Sequence, residues 1–163
     1  MKKFKFSLLA GWLLIISASV FAGTPPVKVQ EAFNKMYPKV TNTEWLRKND
    51  YHIAGFVSDN QEKDVWFSKD AQWIMTETNV ESLEKIPAPV AKAFMKSETP
   101  PIQIRYIKII TFPKMPTVII IDIEEENSDR EIQLFYAPDG TLLKSYDVTG
   151  GSSETVSYTH LRA

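Results

Sequence analysis

Several things are missing from this 163-residue chain, and each absence closes a functional class. It has no cysteine, which removes disulfides, thiol catalysis, cysteine metal sites and a lipidated N-terminal anchor together. A chain without a stray thiol also suits an oxidising compartment. Only two histidines occur, and His52 is the one within the body of the chain. A lone strand histidine without an evident nucleophile or carboxylate beside it carries no catalytic constellation. Between Val27 and Lys144 the only glycines are Gly55 and Gly140, so no glycine-rich loop can cradle a phosphate there.

The one long apolar run sits at the N-terminus. Lys2, Lys3 and Lys5 precede a stretch from Phe6 to Phe21, which ends in Val20-Phe21-Ala22 before Gly23. A basic region, an apolar core and small residues, in that order, form a cleavable signal peptide covering residues 1–22, with no stable membrane anchor after cleavage. The protein is therefore expected in the periplasm or the medium. Removing 22 of 163 residues leaves 141, enough for one domain with a real core. With three lysines gone from 19 basic residues against 20 acidic ones, the remainder is acidic by four charges. That balance argues against nucleic acid as a partner, since phosphate binding needs a basic patch.

Val29, Ala32, Phe33 and Met36 follow Pro25-Pro26 at the spacing of an amphipathic helix, and Pro38 stops it. From Thr41 to Thr78, segments rich in Trp, Tyr, Phe, Ile and Val alternate with polar clusters at 48–50, 58–61 and 68–71. These read as four antiparallel strands. The order then begins again: Val29, Ala32 and Phe33 recur as Val90, Ala93 and Phe94 behind Ile86-Pro87-Ala88-Pro89. Strand-like runs follow at Ile102 to Phe112, Thr117 to Glu125, Glu131 to Tyr136 and Thr141 to Tyr146, with Asp139-Gly140 as the last hairpin turn. Val65-Trp66-Phe67 with Asp70-Ala71 matches Leu134-Phe135-Tyr136 with Asp139-Gly140, so the body is an internal duplication. Ala71 stands where the second copy has its turn glycine, which suggests a different turn type there. The continuous apolar run Val118 to Ile121 predicts a strand covered on both faces, and hence two copies that pack together or share one sheet. The expected fold is α+β, a tandem repeat of a helix packed on a four-stranded antiparallel sheet. The divisions are a signal peptide at 1–22, repeat 1 at 23–80, repeat 2 at 81–149 and a tail at 150–163. That tail has linker composition and ends in an octapeptide, 156–163, that looks like translated sequencing-adaptor sequence.

The order of helix, Trp-containing strand, Tyr-and-Phe strand, Val-Trp-Phe strand and Asp-x turn, then Leu83-x-x-Ile86-Pro87-x-x-Val90, resembles the PepSY-like family of exported proteins, also described as β-lactamase-inhibitor-like. The resemblance spans Val27 to Lys144. It implies tandem helix-plus-sheet units whose sheet offers a surface to another protein, with no enzymatic activity; no cofactor is expected either.

Period-two alternation puts Trp66 on one strand face with Asp64 and Ser68, and separates Phe135 and Gln133 from Ile132, Leu134 and Tyr136. Large aromatics at equivalent repeat positions thus sit on the polar-looking face, the kind of anchor that protein recognition uses. Trp66 and Phe135 head the candidate partner-binding residues, with Trp45 and Trp73, whose facing the neighbours do not settle, beside them. Asp122, Glu124, Glu126 and Asp129 form the one acidic run that suggests a hard cation. It lacks the glycine and the Asp-x-Asp order of a calcium loop, and a solvated hairpin tip explains it better. The expectation is a non-catalytic exported protein that binds another protein, with inhibition or regulation of an envelope or secreted enzyme as its candidate role. The alternative is a periplasmic small-molecule or cation-binding protein.

Overall fold

The computed structural model describes residues 20–97, 101–151 and 154–155; the rest of the signal segment and of the tail lies outside the described residues. Its centre is one antiparallel sheet of ten strands in which every strand pairs with its neighbours in sequence. The strands are β1 (Val20–Ala22), β2 (Glu44–Lys48), β3 (Tyr51–Ser58), β4 (Gln61–Ser68), β5 (Trp73–Val80), β6 (Ile102–Thr111), β7 (Val118–Glu125), β8 (Arg130–Tyr136), β9 (Leu142–Asp147) and β10 (Glu154–Thr155). Helix α1 (Val27–Met36) precedes the first four-stranded unit and α2 (Ala88–Ser97) precedes the second. The two units join where β5 pairs with β6, Thr76 opposite Thr111 through Val80 opposite Ile107. The shared sheet is thus the answer to the two-sided apolar run in β7, where Val118 through Ile123 are all buried. Short flanking strands lie at both edges: β1 inside the segment assigned to the signal peptide, and β10 inside the segment assigned to the tail.

The duplication is visible in the hydrogen bonds. Each helix starts on a proline carbonyl, which accepts from Val29 N (2.9 Å) and Gln30 N (3.2 Å) in α1 and from Val90 N (2.9 Å) and Ala91 N (3.2 Å) in α2. Proline fits there because the missing N–H would have had no intrahelical partner. Val29 and Phe33 then bury against Ala54, Phe56, Val65 and Phe67. Val90 and Phe94 bury in the same way against Ile107, Ile119, Ile121 and Leu134. Each such side chain taken out of water contributes roughly 1.5–3 kcal/mol. Cross-strand register carries one face through Val65, Thr76, Thr111 and Ile109 to Ile119 and Tyr136, so both helices cover the same side.

The turns mix regular and strained geometry. Asp59 and Asn60, both at positive φ (54° and 58°), form the two-residue link that suits the twist of β3 and β4. Ala71 departs from the expectation of a different turn type. Ala71 N donates to Ser68 O (3.0 Å) and Ser68 N to Gln72 O (2.9 Å), while Gly140 N donates to Ala137 O (3.0 Å) and Ala137 N to Thr141 O (2.9 Å). The two turns are the same, and Ala71 holds φ of 63° to keep it so.

Candidate functional site

The sheet face away from the helices carries a second apolar cluster. Met75, Ile110, Val118, Ile120, Phe135 and Tyr146 are buried in it, and Trp66, Ile74, Tyr106, Phe112 and Leu143 form its half-buried rim. Ladder register aligns its members: Trp66 opposite Met75, Ile110 opposite Val118, and Ile120 opposite Phe135. Neither described helix contributes to this cluster.

Two β-bulges build the rim. Register shifts between Trp66 and Phe67, where Met75 and then Trp73 stand opposite, so Ile74 is the extra residue. The same shift between Phe135 and Tyr136 makes Leu143 extra. A bulge turns same-parity residues to opposite faces. Trp73 consequently joins the α1 core and donates its indole N–H to Thr76 Oγ1 at 3.1 Å, while Met75 lies on the helix-free face. A third shift between Ile104 and Tyr106 sends Ile104 towards α2 and Tyr106 to the helix-free side.

The four aromatic candidates therefore divide. Trp66 lies on the helix-free face with Tyr51 beside it (centroids 6.1 Å apart) and Lys48 Nζ 5.7 Å from its ring centre. Its Nε1 is buried and has no hydrogen-bond partner among the described residues. Phe135 shares that face but not the exposure expected of it: it is 5% accessible, edge-on to Tyr146 at 5.4 Å and 79°. Trp45 packs edge-on to Phe33 at 5.4 Å, under α1 with Trp73, so these two do not join the others. The rim residues Tyr106, Phe112 and Leu143 were not picked out by alternation, because the bulges break its parity.

Charged groups flank the apolar band. Glu44, Gly55, Asp64 and Glu77 occupy one row across four strands. A Cβ on Gly55 would lie 3.1 Å from Asp64 Oδ1, so glycine leaves that carboxyl its room. Burial, and then Glu77, push the Asp64 carboxyl above the usual range, while Lys108 opposes them. Lys108 Nζ pairs with Glu77 Oε2 at 2.9 Å. In the second unit Asp122 is almost fully buried opposite Gln133. Burial raises its carboxyl against the pull of Gln133, Tyr106 and Arg105. Arg105 Nη1 stands 3.7 Å from Asp122 Oδ1 and also binds Glu131.

The acidic run separates in the same way. Asp122 is buried within the sheet, Glu124 is half-buried in β7, and Glu126 and Asp129 lie in the exposed β7–β8 turn. Ser128 Oγ donates to Glu125 Oε2 at 2.7 Å and Arg130 lies 3.7 Å from Glu125, which ties the hairpin off as a charged tip. Among the described residues no three His, Cys, Asp or Glu side chains converge as metal ligands. His52, whose imidazole is held below its ordinary pKa by burial and by Arg47, faces a shallow cleft lined by Ala22 to Pro26, Arg47 and Asn49. That lining supplies His52 with neither a carboxylate nor a serine to work with.

Solved structures with this architecture are similar in sequence too. A DUF2874 family protein from Bacteroides ovatus is 36% identical, with a TM-score of 0.75 over 78% of this chain and 91% of its own. The chain belongs to the DUF2874 family. A BLIP-like protein from Bacteroides fragilis is 33% identical, TM-score 0.73, over 80% of this chain and 91% of its own. A protein from Bacteroides eggerthii described as a candidate periplasmic protein is 31% identical, TM-score 0.74, over 78% and 91%. No family model matches the sequence, and no curated protein matches it. This DUF2874 member is a periplasmic or secreted protein, and none of its described helices is long and apolar enough to cross a membrane.

Proposed function

We propose that this DUF2874 protein binds another protein through the helix-free face of its sheet, with Trp66 as the anchor, and that it inhibits or regulates an envelope or secreted enzyme. Its two units are then PepSY-like repeats that set one continuous face towards the partner. The observation that carries the reading is the rim itself. Trp66, Ile74, Tyr106, Phe112 and Leu143 keep part of their surface outside a buried apolar floor on the one side that no described helix covers. A buried apolar floor, a half-exposed aromatic rim and flanking charges are what tight protein interfaces use. The BLIP-like relative supports the same reading.

The test is capture from an envelope extract, followed by titration of the purified partner against Trp66→Ala. The partner is expected to stay bound in chelator, and the variant to bind about 2 kcal/mol more weakly, as loss of an interface anchor does. Phe33→Leu under α1 should bind as the parent does. Binding that needs a metal, or that Trp66→Ala leaves unchanged, overturns the proposal.

A further inference from the structure

The edge of the sheet at β2 changes character when the chain is processed. Val20–Ala22 pairs antiparallel with it, Val20 opposite Lys48, Phe21 opposite Arg47 and Ala22 opposite Leu46. All three residues lie on the leader side of the cut that the sequence pattern places after Ala22. Cleavage therefore takes away the strand that covers β2. What stays is one long contact, Gly23 N to Trp45 O at 3.3 Å. Pro25 and Pro26 follow after Thr24 and have no N–H with which to continue a ladder.

The direction of that contact fixes which groups are uncovered. Within an antiparallel strand a residue's N–H and C=O point to the same side, and successive residues alternate. The Trp45 carbonyl points away from β3, so Trp45 and Arg47 present their backbone groups at the edge while Glu44, Leu46 and Lys48 bond inward. An uncovered edge of this kind is a template for another strand.

We propose that the processed protein uses this edge to pair with a second copy of itself, β2 against β2, antiparallel about a two-fold axis at Leu46. This register is the one that the strand's own sequence matches. It sets Glu44 opposite Lys48 of the second copy and Trp45 opposite Arg47 of the second copy, and by symmetry each pairing occurs twice. Opposite charges and a cation beside an aromatic stabilise cross-strand pairs, and a register centred on Arg47 would oppose two guanidinium groups instead. Trp45 and Arg47, the two outward residues, then form the hydrogen-bonded pairs on either side of a non-bonded Leu46 pair. The interface is isologous and closes at two copies. Among the described residues that remain after cleavage, the pairing displaces the Gly23 contact at this edge.

The experiment uses protein exported through its own leader, purified from the periplasm and checked by intact mass, with sedimentation velocity over a wide concentration range. The expected result is a chain beginning at Gly23 that dimerises. Glu44→Lys should weaken the dimer by about tenfold or more by placing like charges opposite each other, and Glu44→Lys with Lys48→Glu should restore it. Arg47→Pro, which removes an outward N–H, should give a monomer with an unchanged far-ultraviolet spectrum. A monomer at every concentration, a mature chain that retains Val20–Ala22, or a dimer indifferent to the charge reversal overturns the proposal.

Discussion

At equivalent places in the two repeats, Phe33 and Phe94 are buried to the same degree, 2% and 3% accessible, whereas Trp66 stands at a rim and Phe135 lies in a floor. The helix-covered side has kept its chemistry through the duplication. The helix-free side has diverged: the position of Asp64 opposite Gly55 is held in the second unit by Gln133 opposite Asp122. A core filled by one helix per unit constrains its residues to shape, while a face that meets something outside the fold is free to differ. Substitutions at paired positions can break that contrast or sharpen it.

The largest expected effect is at Phe135. Phe135→Ala should cost about 3–5 kcal/mol in chemical denaturation, through lost contacts and the cavity left between Ile120 and Tyr146. Trp66→Ala, at a partly solvated rim, should cost about 1–2 kcal/mol. Equal losses at the two sites would mean that the faces of the two units do not differ as their burial says.

Gly140→Ala comes next. The added Cβ would fall 2.6 Å from the Pro89 carbonyl oxygen, and the position has φ of 90°. Pro89 lies in the first turn of α2, so the helix itself must move or the turn must open. We expect a loss of about 2 kcal/mol, read as a lowered denaturation midpoint. A neutral outcome would show that α2 is not held tightly against this turn.

The duplication and the eight core strands were legible in the sequence because polar turn clusters mark every hairpin and each helix repeats its Val and Phe anchors. Alternation also separated Trp66 from Val65 and Phe67, which lie in the other cluster. It could not give the exposure of Trp66 and Phe135, since burial depends on which neighbours bulges bring alongside. Ile74, Leu143 and Arg105 each add one residue to a ladder, and past each of them odd and even positions exchange faces. Trp73 and Tyr106 were unreadable for that reason alone. The pairing of β1 with the edge was hidden differently, because a leader sequence is read for its chemistry with the export machinery and not for strand partners.

A pH comparison tests the polar row. The folded state raises the Asp64 carboxyl, first through burial and then through Glu77, so it favours the protonated form. The stability this gives is complete below the carboxyl's unfolded pKa and is lost as pH rises through the folded value. Asp64→Asn removes the ionisation, as Gln133 does at the equivalent place. It should therefore match the parent in acid and exceed it increasingly as pH rises towards neutrality, in denaturation midpoints taken from pH 3 to pH 8, by less than the Gly140 change. A variant less stable than the parent at neutral pH would mean that the attraction to Lys108 outweighs burial and Glu77.

The smallest effect is expected at Ala71, where the comparison between the repeats is closest. Its turn has the same two backbone hydrogen bonds as the Gly140 turn, yet an L side chain occupies the left-handed position at φ of 63°. Holding a residue with a Cβ there costs about 1–2 kcal/mol. Glycine would remove that strain, but it would also gain freedom in the unfolded chain, worth about 0.4–1 kcal/mol against the fold. The Ala71 methyl also packs on the α1 core beside Trp73, and that contact would be lost. These opposing contributions leave Ala71→Gly more stable than the parent by about 0.5 kcal/mol, against the loss of about 2 kcal/mol for the reverse change at Gly140. In the second unit the Pro89 carbonyl fills the space beside Gly140, and in the first Lys28, at the helix position of Pro89, pairs across the turn with Asp70, 3.6 Å away. If Ala71→Gly destabilises the protein, the methyl contact outweighs the strain, and alanine at this turn is a packing residue of the first unit.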